Sequence, residues 1–304
     1  MSRSPVARVG RHGRRHVRFC PSLQKPFLSD RCVMGRRPVQ ASLRHMPKRA
    51  VCLFCTPAVH QTVAAWAQQA GVPCHARPSE MLTQQCGDDA THQGVVLQTH
   101  PFPYRRLEDV LAGEGSSCHP ERQRRDDNKG DQSEPGRRAT TPPPSQDDQA
   151  NKPPLGVVLD GVVDPRNLGR AARCAFAFGA RFLVIATDRC AGVTAVAEKA
   201  ACGALAQLAV ARVVNVRRAL QQLQQVGFWC VGADERAQQP VWRTDLRQPC
   251  ALVVGGEQKG LRPLVARACD ELAGIPMRQA DMDLNAADAA ALLLYEAARQ
   301  RALK

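Results

Sequence analysis

Apolar runs of strand length alternate with segments of helical spacing over residues 154–304. The apolar runs predict strands at 156–159, 182–186, 228–232, 251–254 and 271–275. The spacing of apolar residues between and after them predicts helices at 168–178, 193–207, 216–225 and 286–301. Strands separated by helices favour an α/β fold with a mostly parallel sheet, in which ligands bind beyond the carboxyl ends of the strands.

Residues 34–112 are predicted to form a second, smaller α/β domain. An apolar strand at 51–54 precedes a segment with helical spacing at 59–70, and Gly71 is placed to end that helix. Further short strands are predicted at 72–75 and 92–97.

Two segments carry no hydrophobic pattern, and both are predicted to be disordered. Residues 1–33 hold eight lysine or arginine residues and one acid. This basic tail is a nucleic-acid-binding arm, a targeting peptide, or the product of an upstream start codon that is not used, since Met34 begins the first globular-looking segment. Residues 113–153 have almost no aliphatic side chains and nearly balanced charge, and they predict a linker without a catalytic part.

The overall charge favours a polyanionic partner. The 304 residues include 42 lysine or arginine and 28 acidic residues, for a net charge of +14, which favours nucleic acid over a membrane. No apolar run reaches the length of a secretory signal or a transmembrane helix, so a cytoplasmic location is expected.

The cysteines are interpreted as reduced structural thiols. There are 13 of them, an odd number, and most lie in apolar runs, as is usual for a cytosolic protein. Cys52 and Cys55 have the spacing of a metal or redox pair, but no second pair or histidine cluster in the sequence completes a zinc site. No metal is therefore predicted.

Two common nucleotide-binding classes are excluded by the glycine spacing. The turn after the first strand of the larger domain, residues 160–165, lacks the spacing of a dinucleotide-binding loop. Residues 255–260 contain a lysine among glycines, but their spacing is wrong for a phosphate-binding loop and no serine or threonine follows.

Three polar motifs follow predicted strands and should meet at one edge of the sheet. They are residues 164–173, residues 252–261, and residues 275–277 followed by 283–285 before an Ala/Leu-rich helix. In this order they resemble the three motifs of the SpoU/TrmH family of RNA ribose 2′-O-methyltransferases. The smaller domain is similar to the RNA-binding domain of many such enzymes at Gly35, 38–41, 71–72 and 92–95.

The resemblance implies an architecture that spacing alone does not predict. It implies a C-terminal trefoil knot, S-adenosylmethionine as cofactor, an RNA partner and a homodimer that completes the active site. The layout is closest to enzymes that modify a guanosine in large-subunit ribosomal RNA. The alternatives are a tRNA ribose methyltransferase of the same fold and a non-catalytic RNA-binding factor of ribosome assembly.

The resemblance also assigns catalytic roles within the first two motifs. Arg173 is implied to be essential for transfer, Asn167 to position ribose or structure, and Glu257 to fix its loop. Because arginine does not readily lose a proton, Arg173 is interpreted as a phosphate and oxyanion stabiliser. The two residues of the first motif are six positions apart and do not share a helix face, so either Arg173 reaches by its length or Asn167 precedes the helix.

The cofactor is implied to bind between the second and third motifs. Gly255 lines the pocket, Ile275 and Met277 cradle the adenine, and Leu284 and Asn285 lie on the loop before the last helix. The resemblance also implies a catalytic role for Asn285.

Asp283 departs from the family pattern, which usually has serine there, and it is a further candidate catalytic residue. A carboxylate adds negative charge beside an RNA backbone unless a cation pairs with it. It acts as a base, or it is a favourable carboxylate near a helix N-terminus. An intact enzyme, an altered substrate choice and weakened catalysis all remain open.

Overall fold

The structure, a computed structural model, describes residues 30–86, 91–113, 153–279 and 283–302. The predictions for residues 1–29 and 114–152, most of the basic tail and the linker, lie outside the described residues. Within those described, no helix combines the length and apolar character needed to cross a membrane.

The N-terminal region forms a four-stranded mixed sheet of order β1-β4-β2-β3. Its strands are β1 Cys32–Met34, β2 Ala50–Cys55, β3 Cys74–Ala76 and β4 Val95–Thr99. β4 is antiparallel to β1 and β2, whereas β3 is parallel to β2. β1 begins inside the range 1–33 that was predicted to be disordered, because Cys32 and Val33 pair with β4 and are buried.

Helices cover both faces of this sheet. They are α1 Arg36–His45, α2 His60–Ala70 and α3 Ser79–Cys86, whereas α4 Leu107–Leu111 follows the sheet and packs on the larger sheet of the C-terminal region. α1 and α2 bury Val39, Leu43 and Val63 on one face, while Leu82 of α3 packs on the other. Gly71 ends α2 in the left-handed conformation (φ 68°), as its sequence position predicted.

The C-terminal region forms a six-stranded sheet that is parallel throughout, of order β10-β8-β9-β5-β6-β7. Its strands are β5 Leu155–Asp160, β6 Phe182–Ala186, β7 Ala209–Val213, β8 Trp229–Ala233, β9 Cys250–Gly255 and β10 Glu271–Ala273. The prediction of an α/β fold with a parallel sheet is confirmed.

Helices lie on both faces of the larger sheet. They are α5 Pro165–Ala177, α6 Ala195–Ala201, α7 Val216–Gln225, α8 Pro263–Ala266 and α9 Ala286–Ala302. α5, α6 and α9 share one core cluster, which includes Leu168 and Leu293, and α7 and α8 share another, which includes Leu223.

The predicted helix at 193–207 is wrong beyond Ala201. Cys202 (φ 51°) and Gly203 (φ 95°) both adopt the left-handed conformation and end α6. A single 3₁₀ turn follows, and then β7, which was not predicted. The alanine-rich sequence has high helix propensity throughout, so propensity alone did not reveal the break.

A buried seam joins the two sheets. Arg49 and Glu198 form an ion pair whose side chains are 4% and 3% exposed. Arg49 also donates from Nε to the carbonyl of His100 at 2.9 Å and lies over the Phe102 ring. Burial raises the pKa of the Glu198 carboxyl, and Arg49 opposes that rise.

The segment after β4 extends this seam along the larger sheet. The Arg105 amide donates to the carbonyl of Val210 at 2.9 Å, which places the segment against edge strand β7. The Tyr104 hydroxyl accepts a hydrogen bond from the Val193 amide at 2.7 Å. The two sheets therefore share packed and hydrogen-bonded contacts.

Candidate active site at the carboxyl edge of the parallel sheet

The N-terminus of α5 determines where the side chains of the first motif point. Asp164 caps the helix by accepting a hydrogen bond from the Arg166 amide at 2.8 Å, and Pro165 occupies the first helical position. Asn167 therefore lies inside the helix, and the alternative that it precedes the helix is wrong. Arg173, six residues further on, points from a different face of α5.

A hydrogen bond joins the first two motifs. Asn167 Nδ2 donates to Glu257 Oε1 at 2.6 Å, and both side chains are half-buried. A carboxylate acceptor makes this bond stronger than one between neutral groups. The structure thus brings together two predicted residues that are 90 positions apart in the chain.

Glycines shape the turn that carries Glu257. A Cβ atom on Gly255 would collide with the backbone of Gly260, and one on Gly256 would collide with the carbonyl of Gly161. The Gly260 amide closes the turn by donating to the Gly256 carbonyl at 3.0 Å. Both glycines therefore allow segments of the protein's own backbone to approach closely.

Asp160 and Arg262 stabilise the same turn, and no sequence motif indicated a role for either residue. Asp160, at the end of β5, is 1% exposed. It accepts hydrogen bonds from the Arg262 amide at 3.1 Å, from Nε at 2.7 Å and from Nη2 at 2.5 Å. This bonding raises the pKa of the Arg262 guanidinium. The sequence signal that could have indicated Asp160 is its position directly after an apolar run of strand length.

The third motif contacts α5 through Asp288 and Arg170, two residues for which no role was predicted. Asn285 caps α9, since its Oδ1 accepts from the Asp288 amide at 3.0 Å and its Nδ2 donates to Asp288 Oδ2 at 2.5 Å. Asp288 in turn accepts a hydrogen bond from Arg170 Nη2 at 2.5 Å.

Asp283 is exposed and lies two residues before the capping Asn285. It therefore stands outside the first turn of α9, where the acidic residue is Asp288. Asp283 is thus a carboxylate near the N-terminus of α9 but outside its first turn.

Three apolar side chains near this edge remain partly open to solvent. Ile275 and Leu284 are half-buried, and Met277 is exposed. Partly open apolar side chains beside polar groups suit a flat, mixed ligand such as a nucleoside. The residues present therefore fit the adenosine part of S-adenosylmethionine.

Arg173 stands beside a cleft between the two domains. Its side chain is exposed, and Nη1 donates a long hydrogen bond of 3.7 Å to Cys202 Sγ. Cys202 also lines a cleft that carries three basic side chains from α1. The cleft is lined by Arg37, Gln40, Ala41, Arg44, His45, Cys202 and Gln207. A strand of nucleic acid in this basic cleft would lie next to the guanidinium of Arg173.

The fold and this edge define a two-domain α/β protein whose polar residues gather where a parallel sheet binds its ligands. The model of the SpoU rRNA methylase family matches residues 154–295. The model of the RNA 2′-O ribose methyltransferase substrate-binding domain matches residues 32–105.

Individual relatives agree with these matches. The 23S rRNA (guanosine-2′-O-)-methyltransferase RlmB of Pseudomonas putida is 32% identical over 279 residues, which cover 90% of this chain and 97% of that protein. An uncharacterized tRNA/rRNA methyltransferase of Synechocystis is 36% identical over 217 residues, 71% of this chain and 48% of that protein. The SpoU methyltransferase AviRb of Streptomyces viridochromogenes, solved with AdoMet, shares the fold at a TM-score of 0.65, with 24% identity and 90% of both chains covered.

The chain belongs to the SpoU family of RNA methylases. It is an RNA methyltransferase with S-adenosylmethionine as its cofactor, so the predicted family, reaction class and cofactor are confirmed.

Proposed function

We propose that this protein methylates the ribose 2′-hydroxyl of a guanosine in large-subunit ribosomal RNA. The observation that carries the proposal is the position of Arg173, exposed beside a basic cleft that α1 and the turn after α6 build together. The Pseudomonas putida relative, which is named for this substrate, matches the chain over both domains.

Arg173 supplies fixed positive charge at the reacting ribose. Its guanidinium stays protonated, and it stabilises the negative charge that develops on the 2′-oxygen as the hydroxyl loses its proton. The exposed carboxylate of Asp283 is the candidate acceptor of that proton. Asn167 and Glu257 hold the turn in place, and orientation at this edge contributes much of the rate.

S-adenosylmethionine, when bound, supplies an electrophilic methyl group. Gly255, Ile275, Met277, Leu284 and Asn285 are the residues that would hold the cofactor.

The proposal includes a homodimer that functions in the cytoplasm. Phe176 of α5 and Leu292 and Tyr295 of α9 are 40%, 43% and 56% exposed, which is unusual for large apolar side chains on neighbouring helices. A second copy that covers this surface supports the proposed dimer. Sedimentation at micromolar concentration should give twice the chain mass, and a monomer would contradict the dimer.

We also propose a trefoil knot, a larger domain at 154–304, a linker at 113–153 and a smaller domain that ends at 112. The smaller domain begins at Cys32 and not at the predicted residue 34, because Cys32 and Val33 pair with β4. The knot is supported by the path of the chain, which leaves edge strand β10 and returns to α9, packed on α5 and β9.

Methyl transfer to purified RNA tests the substrate. The full chain is incubated with methyl-labelled S-adenosylmethionine and either unmodified large-subunit rRNA or bulk tRNA, and the RNA is digested to nucleosides. Label in 2′-O-methylguanosine from rRNA is the expected result. Label from tRNA alone would identify tRNA as the substrate and contradict the proposal. RNA binding without label in either RNA would favour the non-catalytic RNA-binding factor.

A further inference from the structure

A compact group of metal-ligating side chains lies in the N-terminal domain. Cys55 ends β2, His60 begins α2 and Cys74 begins β3. One ligand atom from each lies within 4.8 Å of the other two. Three segments of the β2-α2-β3 unit therefore direct soft ligands to one point.

The distance between the two sulfur atoms suits a shared ion. Cys55 Sγ and Cys74 Sγ are 3.8 Å apart. Thiolates that each lie about 2.3 Å from a tetrahedral zinc ion are about 3.8 Å from one another. A disulfide would require a separation of about 2.0 Å.

Burial makes the metal-free thiols weak acids. It raises the pKa of Cys55 to about 12, and it also raises the pKa of Cys74. Two thiolates, one neutral imidazole and one divalent cation sum to zero charge, so the complex suits the apolar cluster around Val63 and Ala67.

We propose that Cys55, His60 and Cys74 bind one Zn²⁺ ion, with water in the fourth position. Two sulfurs and one imidazole nitrogen are the ligands that zinc prefers. The ion would fasten α2 to the edge strand β3 and so stabilise the RNA-binding domain.

The proposal also explains why Cys52 does not belong to the site. Cys52 and Cys55 are three residues apart in one strand, so their side chains point to opposite faces. Cys52 packs with Phe54 and Leu82, whereas Cys55 packs with Val63 on the α2 face. The partner of Cys55 is Cys74, which the Cys-x-x-Cys spacing does not indicate.

Cobalt titration of the full chain tests the site directly. Metal-free protein, kept reduced by a phosphine, is titrated with Co²⁺ and then with Zn²⁺. One Co²⁺ per chain, with thiolate-to-cobalt charge-transfer absorption that Zn²⁺ abolishes, is the expected result. Zn²⁺ should also raise the thermal unfolding temperature, because it binds only the folded cluster.

Variants assign the ligands. Cys74→Ser and His60→Gln change half-buried residues, which protects the fold. Each should weaken Zn²⁺ binding by more than the roughly 10- to 100-fold cost of losing an outer-shell partner. Cys86→Ser, a half-buried thiol of α3 outside the cluster, is the matched control and should bind as the parent does.

Three results would overturn the proposal. They are cobalt binding without thiolate absorption, an unchanged spectrum in Cys74→Ser, and a Cys55–Cys74 disulfide that mass mapping finds in protein purified under reduction. Methyl transfer is measured separately, so failure of the metal site and failure of the proposed function are distinguishable.

Discussion

The seam between the sheets and the carboxyl edge of the larger sheet are each held by a polar pair of side chains, and the two pairs differ in exposure. Each joins remote parts of the chain through a polar pair: Arg49 with Glu198 across 149 positions, and Asn167 with Glu257 across 90. The seam pair is almost fully buried, whereas the edge pair is half-buried.

This difference shows what each junction contributes. A buried ion pair is costly to break, because the partner that remains is left as an unpaired charge. A partly open pair contributes less to stability but keeps donors, acceptors and cations accessible to a ligand. We therefore expect changes at the seam to alter stability and changes at the edge to alter activity.

The largest expected effect is at the seam. Glu198→Ala should lower the free energy of unfolding by about 3–5 kcal/mol, because Arg49 stays buried without its carboxylate. Urea unfolding measures the loss. Replacing both partners, with Arg49→Met and Glu198→Leu, should recover much of it.

A surface pair provides the matched control for the seam. Glu235 contacts Arg236, and both side chains are exposed. Glu235→Ala should leave unfolding unchanged. If Glu198→Ala behaves in the same way, the seam is not a stabilising junction.

The second-largest effect is expected for the loss of Arg173, and it concerns activity and not stability. Arg173→Ala should lower kcat by about 10²- to 10³-fold, the cost of removing one group that stabilises a developing oxyanion. Its unfolding temperature should stay that of the parent, because the side chain is exposed.

Arg218→Ala on α7 is the control for Arg173. It removes an equal charge from an exposed position on the other face of the sheet, and it should leave kcat unchanged. Equal losses in the two variants would mean that general charge, not position, explains the effect.

A smaller effect is expected for the hydrogen bond between the first two motifs. Asn167→Ala removes a bond to a carboxylate, worth about 1.5–3 kcal/mol, so kcat/KM should fall roughly 10- to 100-fold. Glu257→Gln keeps an acceptor oxygen and should lose less. Steady-state kinetics of both variants measure the difference, and equal losses would argue against a positioning role.

The smallest effect on RNA binding is expected for Asp283→Ser. It removes an exposed negative charge, so RNA affinity should rise several-fold at low salt, while kcat should fall because the proposed proton acceptor is lost. Filter binding across a salt series measures the gain. If the variant also raises kcat more than tenfold, Asp283 impairs transfer in the parent and is not the proton acceptor.

Local patterns predicted the elements well. β6 and α7 begin and end at the predicted residues, because an apolar run and an amphipathic period mark each one. β7 was missed, since its residues continue an alanine-rich stretch that reads as helix. The left-handed Cys202 that stops α6 is not a glycine like Gly71, and the local signal for the helix end is Gly203, one residue later.

The polar pairs that build the junctions could not be predicted from local patterns. Asp160 and Arg262 are 102 positions apart, and Arg49 and Glu198 are further still. Such contacts exist only once the parallel strands and the second sheet are assembled. The three motifs were predicted to meet by the strand-end rule, whereas the residues that fasten them were not.

Mapping the methylated atom in rRNA treated with the parent and with Arg173→Ala tests the central claim most directly. We expect one 2′-O-methylguanosine in large-subunit rRNA from the parent and almost none from the variant, with both proteins folded. Methylation of a base atom, or equal ribose methylation by Arg173→Ala, would contradict the assignment of this edge as the site of ribose transfer.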